Sequence, residues 1–484
     1  MKRKLSLVIV TMAIAKSITA FSQEPNLRKK WVYKAELATF LSNGKGTFWQ
    51  QTNQNAEVPE YKYANVRAKA TFSKSYANDS LGRRKIVDWG VGATAILSAS
   101  KEPTLFFSQL YAQARVWKIE LSLGRRYENI GLIDQELSSG SYSFSNNALP
   151  IPKVQLSSLG FLEAPFTKRL LAFKFNYADG LIGKTQADPF NRFVNIEETF
   201  LHQKSLYGRL GKPQWKVNFY GGFSHQVMWG GEYQIWPTGF LLTRQERYFG
   251  VVQGEPWSGS RIGNHVANID LAFSYRSKKA DWFFYRQNLV EDGSLFRGLS
   301  NITDGLNGVS AVFKNFESKK SYIKKVTLEV LSTFNQGGVD VDFTTGKFGA
   351  DDYFNHYIYL SGWSYGGRTL GTPFIPPTTT TNQTLPQSAN FTNNNRLFLL
   401  HLGFKGVILD KYQFLTKLSF SSNSGTFVAP FPSATNQFSG LVQMSTKSSF
   451  LRGSELIGSL SLDVGKLYPN RVGLYIGIRK SGNF

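Results

Sequence analysis

Alternation of apolar with small or polar residues, repeated along almost the whole chain, constrains the fold more than any other feature. In the stretch from Val87 to Leu97 every second residue is apolar, and the residues between are mostly small or polar. Side chains of a β-strand point to opposite faces in turn, so such a strand has one apolar and one polar face. The same pattern recurs in segments 64–72, 110–116, 117–123, 171–177, 269–275, 398–404, 412–420, 456–464 and 472–478. We therefore expect an all-β protein.

The apolar faces have the character of a membrane barrel. After residue 22 no apolar run is long enough for a transmembrane helix, yet aromatic residues make up 15% of the chain and charged residues only 18%. Strands in lipid must close on themselves, because an open edge would leave unpaired backbone groups. We predict a transmembrane antiparallel β-barrel of about 16–18 strands with long extracellular loops. A large soluble β-sandwich or propeller is the alternative, but the sequence lacks the repeat of about 40–50 residues that a propeller shows.

The N-terminal segment resembles an export signal. Basic residues precede the apolar run from Leu5 to Ala15, and small residues at Ala20 and Ser22 suit signal peptidase. We predict a signal peptide over residues 1–22, a barrel over 23–484 and localisation in the outer membrane, where a terminal Phe484 suits the assembly machinery.

The net charge of the chain indicates an anionic partner. The whole chain carries +23, and removal of the four basic residues of the leader leaves a mature charge near +19. For an exported protein, acidic polysaccharide or lipopolysaccharide fits this charge better than nucleic acid. We expect contacts with outer-membrane lipid, no nucleic acid, and a monomer.

No catalytic or metal-binding pattern is present in the sequence. The chain has no cysteine, and its five histidines do not occur at metal-ligand spacings. The carboxylate pairs Glu197-Glu198 and Asp351-Asp352 are adjacent, so on a strand they would point to opposite faces and read as solvated charge. We therefore expect no enzyme activity, no cofactor and no metal.

Three segments have the composition of loops: Ser42–Glu60, Gly140–Ser158 and Gly366–Asn395. The last is a Thr-, Asn- and Pro-rich tract without apolar periodicity, which makes it the best candidate for an extracellular loop.

Aromatic and hydrogen-bonding residues gather around 225–257, where flat rings could stack on sugar rings and polar groups could bind hydroxyls. Membrane barrels also carry Trp and Tyr at both interfaces, so each Trp has that structural alternative. The candidate polysaccharide-binding residues are His225, Gln226, Trp229, Trp236, Arg244 and Trp257, together with Trp49 in the first loop.

Four motifs in this region carry a resemblance to a known family. They are His202–Gly211, Gly221–Gly231, Asp304–Val309 and Glu329–Gly338. In this order they resemble the Wzi family of capsule-assembly outer-membrane proteins, in its Bacteroidetes form. The resemblance implies a barrel of about eighteen strands that acts as a surface lectin for capsular polysaccharide. It also implies that the protein is neither the export channel nor an enzyme.

One feature departs from the family pattern. The resemblance implies an N-terminal helical bundle that plugs the periplasmic end of the barrel. In this chain Trp31 to Leu41 already alternates like a strand. A reduced or missing plug leaves open an alternative function, a porin or oligosaccharide transport channel. Ion current through the lumen would distinguish a channel from an attachment protein.

Overall fold

The computed structural model describes residues 31–483 apart from 77–84, 189–191, 237, 258–259, 292–294, 296–298, 317–318, 340–348 and 452. The predicted signal peptide and the terminal Phe484 lie outside the described residues.

Eighteen strands form one closed antiparallel sheet, which confirms the predicted barrel. The first strand closes the ring by pairing with the last, from Val32 opposite Asn483 to Ser42 opposite Gly473. The barrel strands are β1 (Trp31–Lys45), β2 (Lys62–Lys74), β3 (Val87–Ala99), β4 (Thr104–Val116), β5 (Ile119–Arg125), β6 (Lys153–Ser158), β8 (Leu171–Ala187), β9 (Val194–Leu210), β10 (Val217–Trp229), β13 (Asn264–Arg276), β14 (Ala280–Val290), β15 (Gly305–Phe313), β16 (Tyr322–Ser332), β19 (Leu397–Ile408), β20 (Tyr412–Gly425), β21 (Pro430–Lys447), β22 (Ser454–Gly465) and β23 (Arg471–Asn483).

The remaining elements are short. β7 (Leu162–Glu163) pairs with β8 beyond the end of β6, and two small hairpins are β11 (Pro256–Trp257) with β12 (Ser260–Arg261), and β17 (Ser364–Tyr365) with β18 (Arg368–Thr369). The helices are α1 (Phe48–Gln51), α2 (Glu232–Ile235) and α3 (Arg244–Gln253), with a 3-10 turn at Thr378–Thr380. No helix in the described part of the chain is long and apolar enough to cross a membrane.

The barrel wall is apolar outside and polar inside. On β3, Trp89 is 53% exposed while its neighbour Asp88 is buried, and Thr94 is buried where Leu97 is exposed. This arrangement is the reverse of a soluble protein, and it places the apolar side chains against lipid. Together with ring closure, it makes the chain an outer-membrane β-barrel.

All long connections leave the barrel at one end. Because the strands run antiparallel in sequence order, Trp31 and Asn483 lie at the opposite end, which we call the terminal end. The loop end carries four long segments. We call residues 46–61 the first loop, 126–152 the crossing loop, 230–263 the outer cover and 333–396 the capping loop.

Two predicted loop boundaries shift. β1 extends to Lys45, so the first loop begins later than Ser42, and the last six residues of Gly140–Ser158 form β6. In β6 the outward residues are Val154 and Leu156, and the strand is too short for its alternation to stand out in sequence.

Candidate functional site

The crossing loop is bound to the wall of the lumen through Glu329 on β16. Its carboxylate accepts hydrogen bonds from the Ser139 amide at 2.6 Å, the Ser138 hydroxyl at 2.7 Å and the Tyr285 hydroxyl at 2.6 Å. Glu329 has no solvent-exposed surface. A buried carboxylate needs such partners, so the loop and the wall stabilise each other.

The same loop spans the lumen. It starts from β5, and β16 lies almost diametrically across the ring of strands. On that far side the Tyr142 amide donates to Gln287 at 2.9 Å, and the ring of His401 donates to the Leu137 carbonyl at 2.8 Å. The crossing loop therefore bridges opposite walls inside the barrel.

The first loop and the capping loop pack on the crossing loop and build an apolar core within the lumen. The aromatic members that these three loops contribute are Phe48, Trp49, Tyr142, Phe144, Tyr353, Phe354, Trp363 and Phe374. The indole of Trp363 donates to the Ser143 carbonyl at 2.6 Å. The guanidinium of Arg368 donates to the carbonyls of Gln51 at 2.5 Å and Val58 at 2.7 Å, which ties the capping loop to the first loop.

His356 in the capping loop is held in its neutral form. Burial and, to a smaller extent, the nearby His265 lower its pKa to about 3. Its Nδ1 accepts hydrogen bonds from the amides of Ile358 at 3.1 Å and Tyr359 at 3.3 Å. A protonated ring would lose this acceptor, so the turn depends on the neutral imidazole.

A polar cavity remains on the terminal side of the crossing loop. It has a volume of about 620 Å³, and its lining includes Arg115, Glu120, Arg126, Tyr127 and Lys174. Arg126 and Glu120 form an ion pair at 2.5 Å. These residues were not predicted as a site, because a charged inward face is also what any wet barrel lumen requires.

A row of polar side chains faces outward on β8, β9, β10 and β13, where lipid would be expected. His202 and Asp179 are cross-strand neighbours, and the ring Nδ1 of His202 lies 2.9 Å from the Asp179 carboxylate. His225 and His265 are 2.9 Å apart through their ring nitrogens, and Lys204 pairs with His225 across the strands. Such groups are costly in contact with lipid.

The outer cover shields this row. The hydroxyl of Tyr248 on α3 donates to Asp179 at 2.8 Å and lies 2.7 Å from the Tyr177 hydroxyl, while Lys204 donates to the Val252 carbonyl. Thr243 caps α3 by accepting from the Glu246 amide. An apolar cluster beneath the cover comprises Val227, Trp229, Phe240, Val251 and Ile262.

Four of the seven predicted binding residues belong to this outer region. His225 and Trp229 are on the outward face of β10, Trp236 packs beneath the cover, and Arg244 is exposed at the start of α3. Trp229 is only 6% exposed, so its ring offers little surface for stacking. The side chain of Trp257 lies outside the described residues.

The other two predicted residues are in the lumen. Gln226 faces inward and is fully buried opposite Gln203. Trp49 is buried in the apolar core that the loops form within the lumen. Its indole donates to the Ser439 carbonyl at 3.3 Å, and its ring lies 4.7 Å from the Lys417 amine. The structure thus divides the predicted set between the two sides of the wall.

A groove on the outer wall brings Trp229 and Arg244 together. It has a volume of about 430 Å³, and it is lined by Leu123, Gly124, Pro152, Lys153, Val154, Asp179, Gly180, Leu181, Phe200, Trp229, Arg244 and Tyr248. Sequence reasoning missed Tyr248 and Phe200. The Thr243 and Glu246 capping box was a local signal for α3, but nothing in the sequence said which surface that helix would cover.

The described residues hold no cluster of three His, Asp or Glu side chains that could bind a metal ion.

Comparison with known proteins places these features in a family. The family model described as capsule assembly protein Wzi matches residues 34–400. No curated protein sequence matches this chain.

Two solved structures are similar to this chain, and the first shares its barrel fold. One is Wzi of Escherichia coli, described as an outer-membrane protein involved in group 1 capsule assembly and as a carbohydrate-binding β-barrel. It is 14% identical, with a TM-score of 0.56, and the alignment covers 98% of this chain and 88% of that one. Pseudomonas aeruginosa OccK5 is 9% identical with a TM-score of 0.47, covering 94% of this chain and 98% of its own.

Proposed function

This chain belongs to the capsule assembly protein Wzi family, and we propose that it holds capsular or another acidic polysaccharide at the cell surface as a lectin-like barrel. The proposal includes no catalytic step. The solved Escherichia coli relative is described as carbohydrate-binding, which supports the same role here.

The observation that carries this proposal is the filled lumen. Three loops from the loop end pack on one another within the barrel. The crossing loop is bonded to the near wall through Arg126 and Glu120 and to the far wall through Glu329 and Gln287. A transport channel needs a continuous polar path, whereas an attachment protein needs a rigid support for its outer surface. The buried contacts of Glu329 and Arg368 favour the rigid support.

The capping loop offers a surface suited to sugar hydroxyls. Gln383, Thr384 and Gln387 are exposed, while the segment that carries them is fixed by the bond from the Asn382 amide to the Leu467 carbonyl at 2.8 Å. Side-chain amides and hydroxyls both donate and accept hydrogen bonds, as sugar hydroxyls do. We propose this face as the first contact for the polymer, while the seven residues predicted from sequence stay predictions.

Gene deletion followed by complementation tests the function. Cells without the protein should shed capsule that the complemented strain retains, with total polymer unchanged. Equal cell-bound polymer in both strains would contradict the proposal. In planar bilayers the purified protein should pass little ion current, and a large steady current would favour the channel instead.

A paired substitution tests the proposed contact surface. Gln383→Ala with Gln387→Ala should reduce cell-bound polymer, because two exposed amides are lost without a change in the core. The matched control is Gln413→Ala, an exposed amide at the terminal end of β20. Normal barrel assembly with unchanged capsule in the double variant would remove this face from the site. The same assay with Trp229→Ala and His225→Ala tests the sequence-based set.

A further inference from the structure

The outer groove lies at the polar row that interrupts the apolar face of the wall. Along β8 the outward side chains Leu171, Phe173 and Tyr177 are exposed and apolar or aromatic, Asp179 follows them towards the loop end, and the exposed Leu181 lies beyond it. Aromatic side chains and then polar groups mark the membrane interface. The groove therefore opens at the depth of lipid headgroups in the outer leaflet.

Two kinds of wall line the groove. Leu123, Val154 and Leu181 are outward residues of β5, β6 and β8, and they form an apolar side that continues the lipid-facing surface. Arg244 and Asp179 supply polar groups on the other side. An amphiphile with an acyl chain and a polar head matches this division better than a purely polar polymer does.

Charge favours an anionic head. Asp179 is already bonded to His202 and Tyr248 and keeps its negative charge, so a phosphate has to bind on the Arg244 side of the groove. The guanidinium of Arg244 is exposed, lies 5.9 Å from the ring of Phe200, and makes no ion pair within the described part of the chain. Guanidinium groups bind phosphate through paired hydrogen bonds.

The outer cover itself has the surface of a membrane-embedded segment. Leu241 is 89% exposed, and Phe249 and Tyr233 are each about half exposed. These side chains lie on the same segment as Arg244, beside the outward wall. Apolar and aromatic residues flanking a cation are typical of a segment that sits at the membrane interface.

We propose that this groove binds an anionic glycolipid of the outer leaflet, with a phosphate on Arg244 and an acyl chain along Leu123, Val154 and Leu181. Lipopolysaccharide has this chemistry. The site depends on the outer-membrane location and not on the polysaccharide role. It would fix the orientation of the cover relative to the membrane surface.

Binding of purified lipopolysaccharide to the full-length protein in phosphatidylcholine nanodiscs tests the proposal. Arg244→Ala should weaken binding about tenfold, as loss of a charge-assisted contact predicts. Leu123→Trp should also weaken it by filling the groove. The matched control is Leu121→Trp, two residues away on the same outward face but outside the groove lining. Heat-modifiable migration in gels confirms that each barrel has assembled.

Three results would overturn the site. They are wild-type affinity in both Arg244→Ala and Leu123→Trp, equal binding of dephosphorylated lipopolysaccharide, or displacement of the glycolipid by soluble capsular polysaccharide. Capsule retention is measured on the same variants. Lost glycolipid binding with retained capsule would support the groove while leaving the proposed function intact, and the deletion experiment tests that function separately.

Discussion

Loops cover the barrel wall in two places, inside the lumen and on the outside of β8 to β13. The two coverings differ in the surroundings that the polar wall residues beneath them would otherwise meet. Inside, polar wall residues such as Glu329 are the rule, since every strand points a polar face inward. Outside, the polar row around Asp179, His202 and Lys204 is an exception in an otherwise apolar surface. The lumen would tolerate water without its loops, whereas the outer row would meet lipid without its cover.

This difference shows where each covering is anchored. The crossing loop leaves β5 on one side of the lumen and bonds to strands on the far side through Glu329, Gln287 and His401. The outer cover is held by several single polar contacts, among them those of Tyr248 and the Lys204 amine, and by the apolar cluster around Val227. We expect single substitutions to affect the inner covering more than the outer one, because Glu329 alone accepts three buried hydrogen bonds.

The largest single-residue effect is expected for Glu329→Ala. The change removes the acceptor of three buried hydrogen bonds, so the free energy of unfolding should fall by about 4 kcal/mol. Urea unfolding in detergent micelles measures this loss, and planar-bilayer current should rise as the crossing loop detaches. Glu455→Ala, a partly exposed carboxylate, serves as the control. Unchanged stability and current would show that the packing of the crossing loop in the lumen does not depend on Glu329.

Replacement of residues 232–262 by a short glycine–serine turn should cost about 3 kcal/mol, because it exposes Asp179, His202 and Lys204 to lipid. Tryptophan-fluorescence unfolding in liposomes measures the effect. The same replacement combined with Asp179→Leu, His202→Leu and Lys204→Leu should restore most of the stability. Failure of these leucines to restore it would mean that the cover does not serve to shield the polar row.

The neutral His356 predicts a pH dependence of the inner covering. Its pKa is about 3 in the folded chain against an ordinary value of 6.5, so the unfolded chain binds the proton more readily. The stabilisation is complete above about pH 6.5 and is lost as the pH falls towards 3. At pH 5 the free energy of unfolding should be about 1–2 kcal/mol lower than at pH 7.5. Unfolding of wild type and His356→Asn at pH 7.5 and 5 measures it. Asn keeps an acceptor but does not titrate, and equal pH slopes would contradict the prediction.

The smallest effect is expected for Tyr248→Phe. It removes one hydroxyl that bonds to Asp179 and Tyr177 and should lower the free energy of unfolding by about 1 kcal/mol. Faster trypsin cleavage within the cover would show local opening before global unfolding. Tyr233→Phe is the control, since its hydroxyl donates to the Leu242 carbonyl within the cover itself. Equal cleavage of both variants would show that the contact with Asp179 does not hold the cover.

The family and the barrel were predictable because their signals are local. Alternation on strands such as β3 fixes which side chains face lipid, and the family motifs between His202 and Gly338 are confirmed by the match over residues 34–400. The narrower Bacteroidetes form stays a prediction. The predicted extracellular tract Gly366–Asn395 lies at the loop end, but much of it is buried in the plug. Composition identified it as a loop without indicating its direction.

The candidate site was less predictable because adjacent residues on a strand point to opposite sides of the barrel wall. His225 and Gln226 are adjacent in sequence, yet one faces the outer cover and the other the lumen. Trp49 and Trp229 both looked like stacking surfaces, but each is buried by a loop that is distant in sequence or folded back. The prediction from composition around 225–257 therefore combined residues that lie on opposite sides of the barrel wall.

The sequence by itself determined a closed barrel, the sidedness of the strands that alternate clearly and the class of the protein, since all three follow from a period of two residues and from short motifs. Only the tertiary structure decided that the lumen is filled by loops and that α3 covers a polar row on the outer wall. Those outcomes depend on contacts between residues far apart in sequence, such as Ser139 with Glu329 and Tyr248 with Asp179. Such contacts form only after the ring of strands has brought the distant segments together.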